Sequence, residues 1–269
     1  MKPFLKWAGG KMRLVDRIKE VLPPGNRLIE PFVGSGAVFI NSNYPRYLLA
    51  DVNFDLINLY LQLQQQGDAF IHLCRRYFVP ANNTSEAFYG LRERFNRTQD
   101  IVEKAALFVY LNKHCYNGLC RYNARGEFNV PFGRYHQPYF PGPEMLFFHR
   151  KSQLAKFIVA DFRKTIGLAE PGDVIYCDPP YVPLSTTANF TSYSSNSFGL
   201  AEQAALARAA SDASQRGITV VISNHNTDFT RSAYEAADKL DFFDVQRHIS
   251  CDGANRTKAA ELLAIFSGQ

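Results

Sequence analysis

The clearest fold signal in this sequence is the segment Arg27-Leu28-Ile29-Glu30-Pro31-Phe32-Val33-Gly34-Ser35-Gly36-Ala37-Val38-Phe39. It begins as a short apolar strand and runs into a Gly-x-Gly turn that opens a helix, where a ligand can approach the backbone closely. The next apolar run, Tyr47-Leu48-Leu49-Ala50, ends in Asp51, where a carboxylate accepts hydrogen bonds from ribose hydroxyls. Phe39 replaces the third glycine of the dinucleotide fingerprint, which favours adenosine without a pyrophosphate.

Alternating strand-like and helix-like runs extend from this segment in both directions. We predict helices at residues 12–21, 54–65, 200–215 and 229–237 and strands at residues 27–32, 47–50, 157–160, 174–177, 218–223, 242–249 and 261–266. Such alternation favours an α/β fold with a doubly wound, mainly parallel seven-stranded sheet, whose ligands bind at the carboxyl ends of the strands. The Gly34-Ser35-Gly36 turn and Asp178 both fall at such ends.

A long interruption separates the early strands from the later ones. Helical periodicity at residues 86–95 and 105–113 is followed by a hairpin-like stretch punctuated by Gly and Asn. The interruption is too long to be a simple loop. We therefore predict an inserted, mostly helical recognition subdomain at residues 67–143, with the main domain formed by residues 1–66 and 144–269.

The stretch Asp178-Pro179-Pro180-Tyr181 has the chemistry needed to present a planar exocyclic amine for attack. Such a nitrogen is a poor nucleophile because its lone pair is delocalised, so acceptors must bind its two N–H groups. Asp178 supplies a carboxylate and Pro179 a carbonyl, and the prolines fix φ and remove competing donors. Tyr181 offers an aromatic face to a base taken out of the DNA stack. The structural alternative is a proline-rich turn after a strand.

Positive charge is concentrated in one part of the chain. The 269 residues carry a formal net charge of +5, and residues 75–134 contain ten Arg or Lys against five Asp or Glu. A basic segment interleaved with Tyr, Phe and Asn suits a polyanion with stacked bases. A solvated, charged helix face would produce much of the same pattern, so charge leaves both readings open.

Cysteine and histidine patterns favour reduced thiols and no metal. The five cysteines are an odd number without a C-x-x-C pair, and the six histidines are scattered. We find no signal peptide and no long apolar span, so we expect a cytoplasmic protein with no membrane attachment. The cysteines are Cys74, Cys115, Cys120, Cys177 and Cys251.

Three motifs in this order resemble those of the N6-adenine DNA methyltransferases of the α arrangement. They are Phe4-Leu5-Lys6-Trp7-Ala8-Gly9-Gly10-Lys11, Glu30-Pro31-Phe32-Val33-Gly34-Ser35-Gly36 and Asp178-Pro179-Pro180-Tyr181. More closely, the chain resembles the DNA adenine methylase family, which methylates adenine in GATC. Residues 117–123 and 126–133 are similar to that family's recognition hairpin. The likeness extends over nearly the whole chain.

The resemblance implies a Rossmann-like fold that uses S-adenosylmethionine and releases S-adenosylhomocysteine. It also implies that Asp178, Pro179, Pro180 and Tyr181 are catalytic. Without it, Trp7 would be interpreted as a buried cap. The implied cofactor contacts are Trp7, Lys11, Phe32, Gly34, Gly36, Asp51 and Asp178.

Double-stranded DNA is the partner that the resemblance implies, and no obligate protein partner is evident. Arg121 can donate bidentately to a guanine edge, and Tyr116 can fill the gap left by a flipped adenine. Tyr116 and Leu119 could instead pack in the core, Asn117 could be an ordinary turn residue, and Lys6 a solvated lysine. The implied DNA contacts are Lys6, Tyr116, Asn117, Leu119, Arg121, Pro131 and Tyr135.

Three other functions remain open from the sequence: methylation of another planar amine (cytosine N4, RNA or protein), DNA binding without catalysis, and a nicotinamide dehydrogenase. The missing third glycine and the Pro-Pro pair count against the dehydrogenase. Residues 186–196 suit a flexible lid that closes on substrate, and the alternative is an ordinary polar surface loop. In residues 250–256, Cys251-Asp252 replaces the Ser-Asn expected from the family. The resemblance places the protein in a bacterial or phage-infected cell.

Overall fold

The computed structural model describes residues 1–181, 198–246 and 258–268. Within these ranges the strands form a seven-stranded sheet in the order β3-β2-β1-β4-β5-β7-β6. The strands are β1 (Arg27–Glu30), β2 (Tyr47–Asp51), β3 (Ala155–Val159), β4 (Asp173–Cys177), β5 (Thr219–His225), β6 (Lys239–Gln246) and β7 (Lys258–Phe266).

Strand pairing confirms the predicted mainly parallel α/β sheet. The pairs β2/β3, β1/β4 and β4/β5 are parallel, whereas β7 lies antiparallel to both β5 and β6. All five residues of β4 are buried, as expected for a central strand covered on both faces. Each predicted strand is present, although β6 begins at Lys239 rather than at residue 242.

The helices agree with the predicted periodicity, with two corrections. Lys11–Arg13 forms a separate 3₁₀ turn, so the helix predicted at residues 12–21 begins only at Val15. The helix predicted at residues 229–237 ends at Ala233, because Tyr234 leaves the helical conformation. The helices are α1 (Val15–Val21), α2 (Ala37–Asn41), α3 (Phe54–Gln66), α4 (Asp68–Arg75), α5 (Ser85–Arg97), α6 (Ile101–His114), α7 (Gly142–Ser152), α8 (Phe162–Gly167), α9 (Leu200–Ser214) and α10 (Asp228–Ala233).

Two compact units make up the chain. The first comprises Met1–Val15 and Val33–Val159, and the second Asp16–Phe32 and Ala160–Gln269. The helices α4 to α6, which fall in the predicted insertion, belong to the first unit. The boundaries that we predicted at residues 67 and 143 remain a prediction.

An aromatic cluster forms the core beneath the glycine turn of the first unit. The ring of Phe148 lies 5.1 Å from Phe4, 5.4 Å from Phe39 and 4.6 Å from Tyr60, measured between ring centroids. All four side chains are buried, and full burial of such a side chain contributes about 1.5–3 kcal/mol. The cluster thereby anchors the N-terminal segment, α2, α3 and α7 to one another.

Candidate functional site

The glycine turn of the first unit is folded against the end of β2. Gly34 and Gly36 have φ angles of 47° and 70°, a left-handed conformation that favours glycine. The Gly34 N–H donates to the Asp51 carboxylate at 3.2 Å, and the Val33 N–H donates to the Ala50 carbonyl at 2.9 Å. The structure therefore brings together the turn and the carboxylate that the sequence predicted as one site.

Trp7 packs on this turn. A Cβ atom added to Gly34 would lie 2.8 Å from Trp7 Nε1, so only glycine allows the indole to approach this closely. The Tyr60 hydroxyl donates to the Gly34 carbonyl and fixes the turn from α3. Lys11 is buried and its ammonium donates to the Gly9 carbonyl at 2.8 Å.

Asp51 keeps acceptor capacity after its contacts within the protein are counted. Its two oxygens accept from the N–H groups of Gly34 and of Asn53, the latter at 3.0 Å. Burial raises the pKa of the Asp51 carboxyl, and these backbone hydrogen bonds offset part of the rise. The Val52 N–H also bonds this carboxylate, so about one of the four lone-pair sites that a carboxylate offers is left for a further donor.

In the second unit, Asp178 follows β4 directly and is oriented by the neighbouring strand. Ser223 on β5 lies with its hydroxyl 3.2 Å from Asp178 Oδ1. The Tyr176 hydroxyl donates in turn to Ser223 Oγ at 3.1 Å. Ser223 and Tyr176 are both buried, so the carboxylate orientation is set by a chain of buried hydroxyl groups.

Buried amides hold the backbone of the same tetrapeptide. Gln203 on α9 donates to the Pro180 carbonyl at 2.7 Å. The Gln203 side-chain oxygen accepts from Asn224 at 2.9 Å and from the Tyr234 hydroxyl at 3.3 Å. Gln203 could not be predicted from the sequence, because a single glutamine on a helix carries no signal of the strand end that it faces.

Tyr181 is fixed at both its hydroxyl and its ring. The hydroxyl donates to Glu261 Oε2 at 3.1 Å, and the ring meets His225 edge-on at 4.6 Å between centroids. Burial, supported by the nearby Asp178 charge, raises the pKa of Tyr181 well above its ordinary value. The tyrosine therefore stays protonated at neutral pH and keeps this hydrogen bond.

Phe32, also in the second unit, packs against two other aromatic rings. Its ring stacks on Phe162 at 5.8 Å and meets Phe198 edge-on at 5.4 Å. These contacts with protein are what the structure records for Phe32, and its contact with a cofactor remains a prediction.

The predicted hairpin is present in the first unit. Antiparallel bridges join Cys115 to Phe132 and Tyr122 to Phe128. Arg121 is exposed, and its Nε donates to Asn129 Oδ1 at 2.7 Å across the hairpin. The guanidinium is thus held at the surface by its cross-strand neighbour.

The N-terminal segment lies against the start of this hairpin. The Lys6 main chain is bonded to the side-chain amide of Asn112. The Lys6 N–H donates to Asn112 Oδ1 at 2.9 Å, and Asn112 Nδ2 donates to the Lys6 carbonyl at 2.7 Å. The Lys6 ammonium lies 4.1 Å from the centre of the Tyr135 ring, and the Tyr135 hydroxyl accepts from the Asn117 N–H at 3.0 Å. A Cβ on Gly118 would lie 2.3 Å from the Lys6 Cβ, which shows how closely the two segments approach.

Tyr116 does not adopt the core position that was one of our two interpretations, and its contact with DNA remains a prediction. It is 51% exposed, so it does not pack in the core. Its N–H donates to the Pro131 carbonyl at 2.8 Å, and Asn117 has the positive φ of a turn residue. Leu119 is half-buried and Pro131 exposed. The predicted DNA contacts therefore lie on one hairpin and the segment beside it.

Two sequence predictions lie outside the described residues: the lid at residues 186–196 and the loop at residues 250–256 with Cys251. Over the described ranges, no group of three or more His, Cys, Asp or Glu side chains is arranged to hold a metal ion. Over the same ranges, no helix has the length and apolar character required to cross a membrane.

Comparison with known proteins shows similarity along the full chain. Residues 7–248 match the D12 class N6 adenine-specific DNA methyltransferase family. A DNA adenine methylase from Vibrio cholerae serotype O1 is 52% identical over 267 residues, covering 99% of this chain and 96% of the relative. The DNA adenine methylase of Escherichia coli K12 is 51% identical over 265 residues, covering 98% and 95%. A putative methyltransferase structure complexed with SAH aligns with a TM-score of 0.40 at 12% identity, covering 96% of this chain and 53% of the other.

Proposed function

The chain belongs to the D12 class of N6 adenine-specific DNA methyltransferases, and from this membership we propose that it methylates adenine in GATC with S-adenosylmethionine as donor. The observation that carries the proposal is the fixed tetrapeptide Asp178-Pro179-Pro180-Tyr181. Ser223 orients its carboxylate and Gln203 its backbone, so the acceptors for an amine are set before substrate arrives. Such preorganised acceptors are what a delocalised amine requires.

The first unit supports the proposed donor. Asp51 has an acceptor site left for a ribose hydroxyl, and Trp7 and Gly34 form a surface next to it on which an adenosine would rest. S-adenosylmethionine supplies a methyl group activated by a positively charged sulfur. Lys11, Gly36, Phe32 and Asp178 remain predicted cofactor contacts.

In the proposed reaction, Asp178 and the Pro179 carbonyl accept the two N–H groups of adenine N6, which leaves the nitrogen lone pair free to attack. The ring of Tyr181 stacks on the flipped base. A bond forms between N6 and the methyl carbon as the carbon–sulfur bond breaks, and N6 then releases one proton to solvent. No covalent enzyme intermediate is needed, and the Asp178 charge stabilises the cation that develops on N6.

The hairpin supports recognition of duplex DNA. Arg121 is exposed and pinned by Asn129, Tyr116 projects into solvent, and Lys6 lies beside the same hairpin. We assign Arg121 to a guanine edge and Tyr116 to the space that a flipped adenine vacates. We also assign residues 67–143 to target recognition and the reaction to the bacterial cytoplasm.

Ser223→Ala tests whether the orientation of Asp178 matters. We expect the single-turnover methylation rate to fall at least about tenfold, because a hydrogen bond to a charged group contributes about 1.5–3 kcal/mol. Cofactor affinity should stay close to wild type, and the thermal unfolding midpoint should fall by only a few degrees, because the buried Tyr176 hydroxyl loses its partner. Ser214→Ala, which removes a serine hydroxyl bonded to the Ser211 carbonyl, is the matched control. Equal rates for both variants would remove Ser223 from the mechanism.

Arg121→Ala tests sequence recognition and is measured on duplexes substituted one base pair at a time at fixed salt. We expect discrimination at one outer pair of GATC to drop by about 1–3 kcal/mol while most non-specific affinity remains. Arg125→Ala, an exposed arginine of the same hairpin, is the control. A phosphate contact would instead weaken binding to all duplexes and reduce the salt slope by about one unit. A uniform loss for Arg121→Ala would contradict base reading.

A further inference from the structure

Two side-chain hydrogen bonds fasten the recognition hairpin to the start of α3. Asn53 Nδ2 donates to Cys120 Sγ at 3.5 Å, and the Tyr122 hydroxyl donates to Asp55 Oδ2 at 2.8 Å. We call these four residues the hairpin clasp. Cys120 and Tyr122 flank Arg121 in the sequence, so the clasp holds the backbone on both sides of the arginine assigned to base reading.

Asn53 also contacts Asp51, the carboxylate that we propose binds the ribose. Its N–H donates to Asp51 Oδ1 at 3.0 Å, and its side-chain oxygen accepts from the Leu56 N–H at 3.1 Å, which caps α3. One residue therefore bonds Asp51 through its backbone, α3 through its oxygen and the hairpin through its amide nitrogen. Asn53 thus connects the proposed cofactor site, the start of α3 and the hairpin through three hydrogen bonds.

The clasp is partly shielded from solvent: Asn53, Cys120 and Tyr122 are half-buried. Asp55 is buried, and Lys104 lies 3.6 Å from its second oxygen. The Tyr122 ring meets the buried Phe128 ring edge-on at 5.9 Å. Burial raises the pKa of the Cys120 thiol to about 12, so sulfur remains a neutral acceptor near neutral pH. Buried polar groups of this kind adopt one arrangement when satisfied.

We propose that the hairpin clasp couples the two substrates, so that cofactor bound at Asp51 and GATC bound at the hairpin strengthen each other's affinity. The inference rests on the proposed function and adds to it the residues that carry the coupling. Because coupling free energies are reciprocal, either ligand can be used to measure it. Asn53 and Tyr122 act here as positioning residues.

The test measures the dissociation constant of S-adenosylhomocysteine by calorimetry, without DNA and with a saturating GATC duplex. For the wild type we expect the duplex to tighten binding within the usual ~5–150-fold range of such couplings. Tyr122→Phe keeps the ring but removes the hydroxyl, and Asn53→Ser keeps a capping oxygen but removes the amide donor. Each should bring the ratio within about twofold of unity, a loss of most of the coupling.

Tyr139→Phe, which removes an exposed hydroxyl bonded to Glu144, is the matched control and should keep the wild-type ratio. All three variants should bind S-adenosylhomocysteine with the wild-type affinity in the absence of DNA. A variant with an unfolded site would lose this affinity as well. A wild-type ratio near one, or clasp variants that retain the wild-type ratio, would overturn the inference. Wild-type protein that binds neither ligand would contradict the proposed function itself.

Discussion

Replacing Asp178 with alanine will lower the single-turnover methylation rate by at least ~10²-fold, the scale of losing one preorganised electrostatic group. Within the tetrapeptide, Asp178 is the only side-chain acceptor for the amine. Its loss also removes the charge that stabilises the cation developing on N6. The fold should persist, because Asp178 lies beyond the last hydrogen-bonded residue of β4 and is only half-buried.

Asp212→Ala is the matched control for this experiment, since it removes an exposed aspartate from α9. Its rate should equal that of the wild type. Circular dichroism and the thermal midpoint of both variants verify folding. Near-normal single-turnover methylation by Asp178→Ala would contradict the assignment of Asp178 as a catalytic residue.

The second large effect concerns the cofactor. Asp51→Ala should weaken binding of S-adenosylmethionine by about 1.5–3 kcal/mol, the contribution of hydrogen bonds to a charged group. The substitution also leaves the N–H groups of Gly34 and Asn53 without their acceptor. Calorimetry with purified protein measures the change directly.

Asp68→Ala provides the control for Asp51, because it removes an exposed carboxylate from the first turn of α4 in the same unit. It should bind the cofactor as the wild type does. Unchanged affinity of Asp51→Ala would exclude Asp51 from the site. Equal weakening by both variants would point to a general loss of charge instead.

The sequence was sufficient to predict those parts of the site that depend on local chemistry. Gly34 and Gly36 adopt the positive φ that a tight turn after a strand requires, and Asp178 follows a continuous apolar run. Such features depend on residues that are adjacent in the sequence. The same holds for Asn117, which lies in a turn, as the alternative interpretation of the Asn-Gly pair expected.

The supporting contacts could not be predicted, because they join residues far apart in the chain. Gln203 is 23 positions from the Pro180 carbonyl that it binds, and Asn53 is 67 positions from Cys120. Neither pair leaves a periodic or local signal. The two helix corrections arise in the backbone. The apolar pattern continues through Leu14 and Tyr234, but Leu14 ends a separate 3₁₀ turn and Tyr234 ends α10.

Transfer of tritium from methyl-labelled S-adenosylmethionine into short DNA duplexes tests the central claim most directly. The duplexes differ only in a GATC site or its single-pair variants, and digestion to nucleosides identifies the labelled base. We predict label in N6-methyladenine from the GATC duplex and at least ~5-fold less from each variant, as mismatched pairs cost about 1–3 kcal/mol each. Label in cytosine, equal label in all duplexes, or none in any of them would contradict the account.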